Sequence, residues 1–223
     1  MAQPVTLDIL SDPICPWCFI GKTNLDRALE QRPNHPMVIA WHPFRLNPDM
    51  PPGGMDRATY LETKFGGRDK AAAVYAQIDQ AADAAGLRID WSAIARTPDT
   101  TDAHRLIHWA GLEQAQGFVV DRLFKAYFLE GRDIGDAAVL CDIAAATGMD
   151  SGMVERLLAS PADREDIQTR DAHARERGVT GVPTFIVGER HAVPGAQPTE
   201  IWLQVIDEIA AQQAETPSED LTE

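Results

Sequence analysis

The sequence predicts an α/β fold in which a βαβ opening and a ββα close are separated by a large all-helical insertion. Three observations carry this. The first is a short β-rich run, Val5 to Leu10 (VTLDIL), followed by an apolar helical period and then an alternating run, Met37 to Phe44 (MVIAWHPF). The second is that nearly everything from Arg57 to about Arg177 reads as helix. The third is the return of strand signal only at Thr184 to Val187 (TFIV).

Taken in order, the first strand is closed by Ser11-Asp12-Pro13, and Phe19, Ile20, Leu25 and Leu29 then recur near the 3.6-residue period up to Pro33. The stretch Leu46 to Gly54 (LNPDMPPGG) is a loop by its proline and glycine content. The helical block is punctuated by Gly66-Gly67, Gly86, Gly117, Gly131 and Gly148 and has room for about five to seven helices. Asp136 fits the N-cap of AAVLCDIAAAT, and Gly148 fits its stop. Beyond TFIV, a turn at Gly188-Glu189 lets His191 to Val193 pair back as a hairpin. A last helix, Thr199 to Gln213, carries Ile201, Trp202, Val205, Ile206 and Ile209 on one face. These readings divide the chain into 1-48, first part of the α/β domain; 49-165, helical insertion; 166-213, second part of the α/β domain; and 214-223, a disordered acidic tail.

The 223 residues, 44% hydrophobic and 24% charged, are enough for a large buried core. Acidic residues outnumber basic ones 34 to 20, and the net charge of -14 with no lysine or arginine cluster argues against nucleic acid as a partner. The N-terminus MAQPVTLDILSD has no basic-then-apolar leader, and no run approaches the roughly 18 apolar residues of a membrane span. No membrane partner and a cytoplasmic location are therefore expected. Three cysteines are too few for a disulfide scaffold.

The chemistry concentrates in DPICPWCFIGK, Asp12 to Lys22, where Cys15 and Cys18 stand at the switch from strand to helix. A cysteine at a helix N-terminus faces unpaired N–H groups and the positive end of the dipole, both of which favour thiolate. A three-residue offset returns Cys18 beneath the first turn, so Cys15 can attack a substrate disulfide and Cys18 can resolve the mixed disulfide. Pro16 suits an early helical position, where its missing N–H had no partner. A zinc half-site would need two further ligands, and the chain has no second C-x-x-C or matching histidine pair, so no metal is expected. The second element is TGVPTFIV, Thr180 to Val187, whose Pro183 entering a strand points to an edge or a tight turn. Cys141 reads as a packing residue, the His104/His108 pair as non-metal, and His42 as structural with groove lining as its alternative. Trp41, Phe44 and Phe185 read as core. There is no phosphate loop, nucleophile elbow or dinucleotide fingerprint, so no bound cofactor is expected and electrons must come from thiols.

The early C-P-W-C at a strand-to-helix junction, the late V-P-T-F and the helical block between them together resemble the thioredoxin fold. More narrowly, SDPICPWCFIGK, WHPFRLNPDMP, DAHRLIHWA, GVPTFIV and GAQP, in this order, resemble the DsbA family and its FrnE-like branch, related to the 2-hydroxychromene-2-carboxylate isomerases and kappa-class glutathione transferases. The resemblance spans about Val5 to Gln213. It implies a thiol–disulfide oxidoreductase with Cys15 as nucleophile and Cys18 as resolving thiol. Pro183 would be a cis-proline facing the pair, and Pro16, Trp17, Val182 and Thr184 would contact substrate, with the Val182 backbone in a β-like contact. Gly195, Ala196 and Gln197 would lie near a glutathione or groove region. Glutathione or another thiol would be the redox partner, and the substrate would be a peptide, protein or glutathione disulfide; exposed faces on the inserted helices would allow a homodimer. Trp17 supplies bulk and one N–H donor but no charge to hold a thiolate, which predicts a weaker oxidant than a periplasmic one. The alternative is a glutathione-dependent isomerase or transferase; Cys18 counts against it, because that chemistry needs no second thiol. A third class, a redox-controlled binding module, predicts that Cys15→Ser leaves function intact.

Overall fold

The computed structural model describes residues 3–215. β1 (Val5–Ser11) leads into α1 (Pro16–Gln31) and β2 (Met37–Pro43), and β1 and β2 pair in parallel. Then come β3 (Met55–Asp56), α2 (Arg57–Phe65), α3 (Arg68–Ala84), β4 (Arg96–Thr97), α4 (Thr101–Leu112), α5 (Gln116–Phe128), α6 (Ala137–Ala146), α7 (Ser151–Leu158) and α8 (Arg164–Glu176). The chain closes with β5 (Thr184–Val187), β6 (His191–Pro194) and α9 (Thr199–Glu215). The main sheet runs β2-β1-β5-β6, with β5 antiparallel to both β1 and β6. The βαβ and ββα halves thus meet along β1, the strand that ends at the cysteine pair.

Two expectations are corrected. The helical block is not continuous: Arg96–Thr97 is a strand paired with Met55–Asp56, because the chain before Pro98 is extended and its backbone finds ladder partners across the insertion. The last helix runs to Glu215, two residues past Gln213, because Ala214 and Glu215 simply extend it. The rest of the expected tail, 216–223, lies outside the described residues. The expected boundary after residue 165 falls within the first turn of α8.

The period-2 pattern of β1 sorts its side chains. Leu7 and Ile9 point to the face covered by α1 and α9, where with Phe185 and Trp202 they are fully buried, and the Phe185 and Trp202 rings meet edge-on at 4.6 Å. Asp8 and Leu10 point to the other face, bordered by α8. Trp41 and Phe44 are buried as expected. Asp136 caps α6 by accepting from the Ala138 N–H, and Gly148, at φ 86°, supplies its stop. Cys141 packs at the rim of the core and is half-buried.

The insertion grips α1 from the side away from the sheet. Phe19 stacks between Phe124 and Phe128 of α5 at 5.3 and 5.7 Å. Lys22, its side chain only 8% exposed, bridges Asp26 of its own helix and Asp121 of α5. The ammonium is buried and its two carboxylate partners are partly exposed, so the bridge ties the helix that carries the cysteines to α5. Among the described residues no helix is long and apolar enough to cross a membrane.

Candidate active site

Cys15 is the N-cap of α1, with extended φ/ψ of -88° and 114°, and Pro16 occupies the first helical position. The Cys15 N–H donates to the Asp12 carbonyl at 2.9 Å, and the Cys15 carbonyl accepts from Cys18 and Phe19 N–H at 3.1 and 3.2 Å. This tight turn sets both thiols at the helix N-terminus, where unpaired N–H groups favour negative charge. Both thiols are free, and both residues are buried, Cys15 at 3% and Cys18 at 1% exposure. Pro16 and Trp17 flank them half-buried.

The two sulfurs are not equivalent. Burial, above all, pushes the Cys18 thiol well up; its hydrogen bond to Cys15 and the charge there push it further, and donors from the Ser11 side chain and the Asp12 backbone oppose the rise. Cys18 therefore holds its proton and offers it to Cys15. The Cys15 Sγ in turn lies 3.5 Å from the carbonyl oxygen of Val182. The Val182–Pro183 bond is cis. Pro183 packs against α1 at Gly21: a Cβ there would sit 3.2 Å from Pro183 Cγ and 3.3 Å from the Phe185 ring. Glycine lets the proline come this close. The Thr184 hydroxyl is committed to the Gly181 carbonyl at 2.8 Å.

Of the other expected contacts, Gly195, Ala196 and Gln197 form the β6–α9 loop on the α1 side. The Gln197 carbonyl accepts from Asn24 at 3.0 Å, its side chain is tied to the Pro194 carbonyl, and Ala196 packs near Gly21. On the opposite face of the sheet, a cleft of about 1100 Å³ reaches Val182, Pro183, Thr184 and Gly195, with Arg177 and Arg190 among its other walls. Neither cysteine lines it. His42 does line it, and is also structural: its Nε2 meets the Asp8 carboxylate at 2.7 Å and its Nδ1 faces Arg170 at 3.3 Å.

Three groups next to the cysteines had no role in the sequence reading. Asp12 is fully buried, its Oδ2 accepting from the Leu46 N–H at 2.7 Å and its Oδ1 from the Ile14 N–H at 3.3 Å. Burial lifts its carboxyl from 3.8 to about 7 against the pull of those hydrogen bonds and one from Thr100, with Asp171 adding to the rise. Ser11 reaches Cys18 from the end of β1. His104 of α4, buried at 3%, has its Nε2 3.9 Å from Asp12 Oδ1; among the described residues there is no group of three or more His, Cys, Asp and Glu that could hold a metal ion. In the sequence, Asp12 reads as a turn former before Pro13 and His104 as one histidine in an amphipathic helix. Only the sign that an acid stood three residues before Cys15 was available.

A model of the DSBA-like thioredoxin domain matches residues 6–207 of the chain. Uncharacterized protein YwbO of Bacillus subtilis (strain 168) is 27% identical over 206 residues, 92% of this chain and 96% of that one. A probable DsbA oxidoreductase from Streptomyces coelicolor is 27% identical with a TM-score of 0.80, covering 98% of this chain and 94% of that one. The cytosolic disulfide reductase DsbM of Pseudomonas aeruginosa, in its structure with GSH, shares the fold at 20% identity and a TM-score of 0.61, covering 94% and 98% of the two chains.

Proposed function

We propose, on the premise that the chain belongs to the DSBA-like thioredoxin domain family, that it is a thiol–disulfide oxidoreductase cycling Cys15 and Cys18 between dithiol and disulfide. The observation that carries this reading is the asymmetry of the pair: Cys15 caps the helix and faces the Val182 carbonyl beside the cis-proline, while Cys18 lies inside the first turn, its thiol pushed up by burial and by Cys15.

The Cys15 thiolate attacks one sulfur of a substrate disulfide, a Cys15–substrate bond forms, and the other substrate sulfur leaves as thiolate with the bonding electron pair. The substrate backbone adds beside Val182, whose carbonyl already faces Cys15, as in strand addition. Cys18 then attacks Cys15: the Cys15–Cys18 bond forms, the mixed disulfide breaks, and the second substrate sulfur leaves with the bonding electron pair and the Cys18 proton, as a thiol. The substrate has gained two electrons and the protein has lost them; two equivalents of glutathione or a similar thiol return them and become a disulfide. No bound cofactor enters these steps, and a cytoplasmic thiol pool suits the return step. Pro16, Trp17 and Thr184 border the approach, and Gly195, Ala196 and Gln197 stand beside Pro183 where a tripeptide thiol would extend.

The test is a titration of the purified protein in glutathione buffers, with thiol alkylation read by mass. Reversible two-electron closure of Cys15 with Cys18 is expected. A pair that never closes, with glutathione held at Cys15 as a stable adduct, would replace this reading by the glutathione-dependent isomerase or transferase.

A further inference from the structure

His104 lies in DAHRLIHWA, a segment that the cysteine chemistry leaves unused. Its ring is buried where α4 passes under the β1–α1 turn, and Nε2 has no hydrogen-bond partner although it is sealed from solvent. A buried polar atom without a partner is destabilising unless a ligand or a neighbouring group's second protonation state supplies one. The group nearest to it is Asp12: Oδ1 stands 3.9 Å from Nε2. The Phe44 backbone beside the ring favours a proton on it, and with Nε2 unpaired that contact falls to Nδ1. A carbonyl accepts, so Nδ1 carries the ring proton and Nε2 is left as a bare acceptor; the tautomer is assigned from that bond. Burial and the neighbouring Arg45 and Arg170 cations hold the ring neutral, lowering it to about 3.

Asp12 presents the complementary need. As carboxylate it has donors, the amides of Ile14 and Leu46 and the Thr100 side chain. As carboxylic acid it gains an O–H that needs an acceptor; the Thr100 hydroxyl already bonds Asp12, and among the described residues the buried acceptor beside it left without a partner is His104 Nε2. A side-chain movement of about 1 Å closes 3.9 Å to hydrogen-bond range. The charged and titratable groups facing the two are Cys15 and Cys18 from α1, Arg45 and Asp99 between β2 and α4, and Arg170 and Asp171 from α8.

We propose that His104 accepts a hydrogen bond from Asp12 whenever that carboxyl is protonated, and so acts as a positioning residue for Asp12, the residue whose backbone bonds both cysteines. The inference rests on the reading of Cys15 and Cys18 as a redox pair. When the carboxyl takes up a proton, the new O–H turns onto Nε2. The histidine gains a hydrogen bond and no charge, which the two arginines beside it would oppose.

The test follows the Asp12 carboxyl by carbon NMR against pH in the reduced wild type, His104→Phe and His104→Gln, and the His104 ring nitrogens by nitrogen NMR in the wild type. The phenyl ring keeps the site filled without an acceptor, so the Asp12 inflection should fall by about one unit or more. Glutamine restores an acceptor and should bring it back. In the wild type the Nε2 signal should move with the Asp12 inflection while Nδ1 stays protonated. An Asp12 inflection unchanged in His104→Phe, or lowered equally in both variants, overturns the proposal. So does an Nε2 signal that ignores Asp12, a readout that needs no variant to fold. These signals report the Asp12–His104 contact whether or not the protein turns over, so failure of the oxidoreductase reading would show separately, as a cysteine pair that does not close.

Discussion

Replacing Asp12 with asparagine should stabilise the protein at alkaline pH and weaken it in acid. Asp12 is fully buried with its carboxyl lifted from 3.8 to about 7. Because the folded value is raised, the unfolded chain releases the proton first as pH rises. Stability attached to this group is therefore complete below the unfolded value and is lost through the window up to about 7. At 1.36 kcal/mol per unit, the ionised carboxylate costs the folded state about 4 kcal/mol above that window, an upper figure because burial leaves little solvent screening. Asparagine never ionises and escapes this cost. It retains one acceptor oxygen but turns an NH2 toward one of the two amides, Ile14 or Leu46, which now bond the carboxylate; that mismatch costs about 1–3 kcal/mol at any pH. The net expectation is a gain of about 1–3 kcal/mol near pH 8 and a loss of about 1–2 kcal/mol near pH 4. The difference between the two, about 4 kcal/mol, does not contain the hydrogen-bond cost at all. Urea denaturation of the reduced wild type and variant at both pH values measures it. A pH-independent effect, or a variant that loses stability in alkali, would refute the account of Asp12 as a carboxyl held neutral by burial.

The remaining predictions concern the site and its frame. Cys15→Ser should abolish turnover on disulfide substrates, whereas Cys18→Ser should trap a Cys15–substrate mixed disulfide, visible by mass; turnover surviving in Cys15→Ser would refute Cys15 as the nucleophile. The cysteine pair, with Trp17 and no cation between its thiols, should titrate at a midpoint well below the roughly -120 mV of a strong periplasmic oxidant in glutathione or dithiothreitol buffers. Gly21→Ala should cost about 1–3 kcal/mol in urea melts and slow turnover, because the added methyl meets Pro183 and Phe185 at 3.2 and 3.3 Å. Arg105 is fully buried and donates to the carbonyls of Leu157, Ser160 and Ala162 at 2.6, 2.8 and 2.7 Å. Arg105→Met should therefore destabilise by about 3 kcal/mol or more and loosen amide protection first in the α7–α8 turn.

Much of the frame was legible in the chain because it is written locally. The period-2 run of β1, the 3.6 period of α1, the Asp136 cap and the turn at Gly188-Glu189 each depend on a few neighbouring residues, and each element forms within a residue or two of its expected place. The C-P-W-C motif is local in the same sense: a helix N-terminus favours anionic sulfur whatever lies further off. The short strand Arg96–Thr97 was not legible, because two residues carry no period and its partner lies in the loop before α2.

By itself, then, the sequence determined the order of elements, the helix that bears Cys15 and Cys18, and the strand that follows Pro183. Tertiary structure decided what surrounds them. Folding brought the Val182 carbonyl to Cys15 from the far end of the chain, buried the Asp12 carboxyl, and set the unpaired Nε2 of His104 3.9 Å from it. The physical reason is that burial and desolvation belong to no single residue: they arise when segments distant in sequence exclude water together, and only then does an ordinary turn aspartate become a carboxyl that titrates near neutrality.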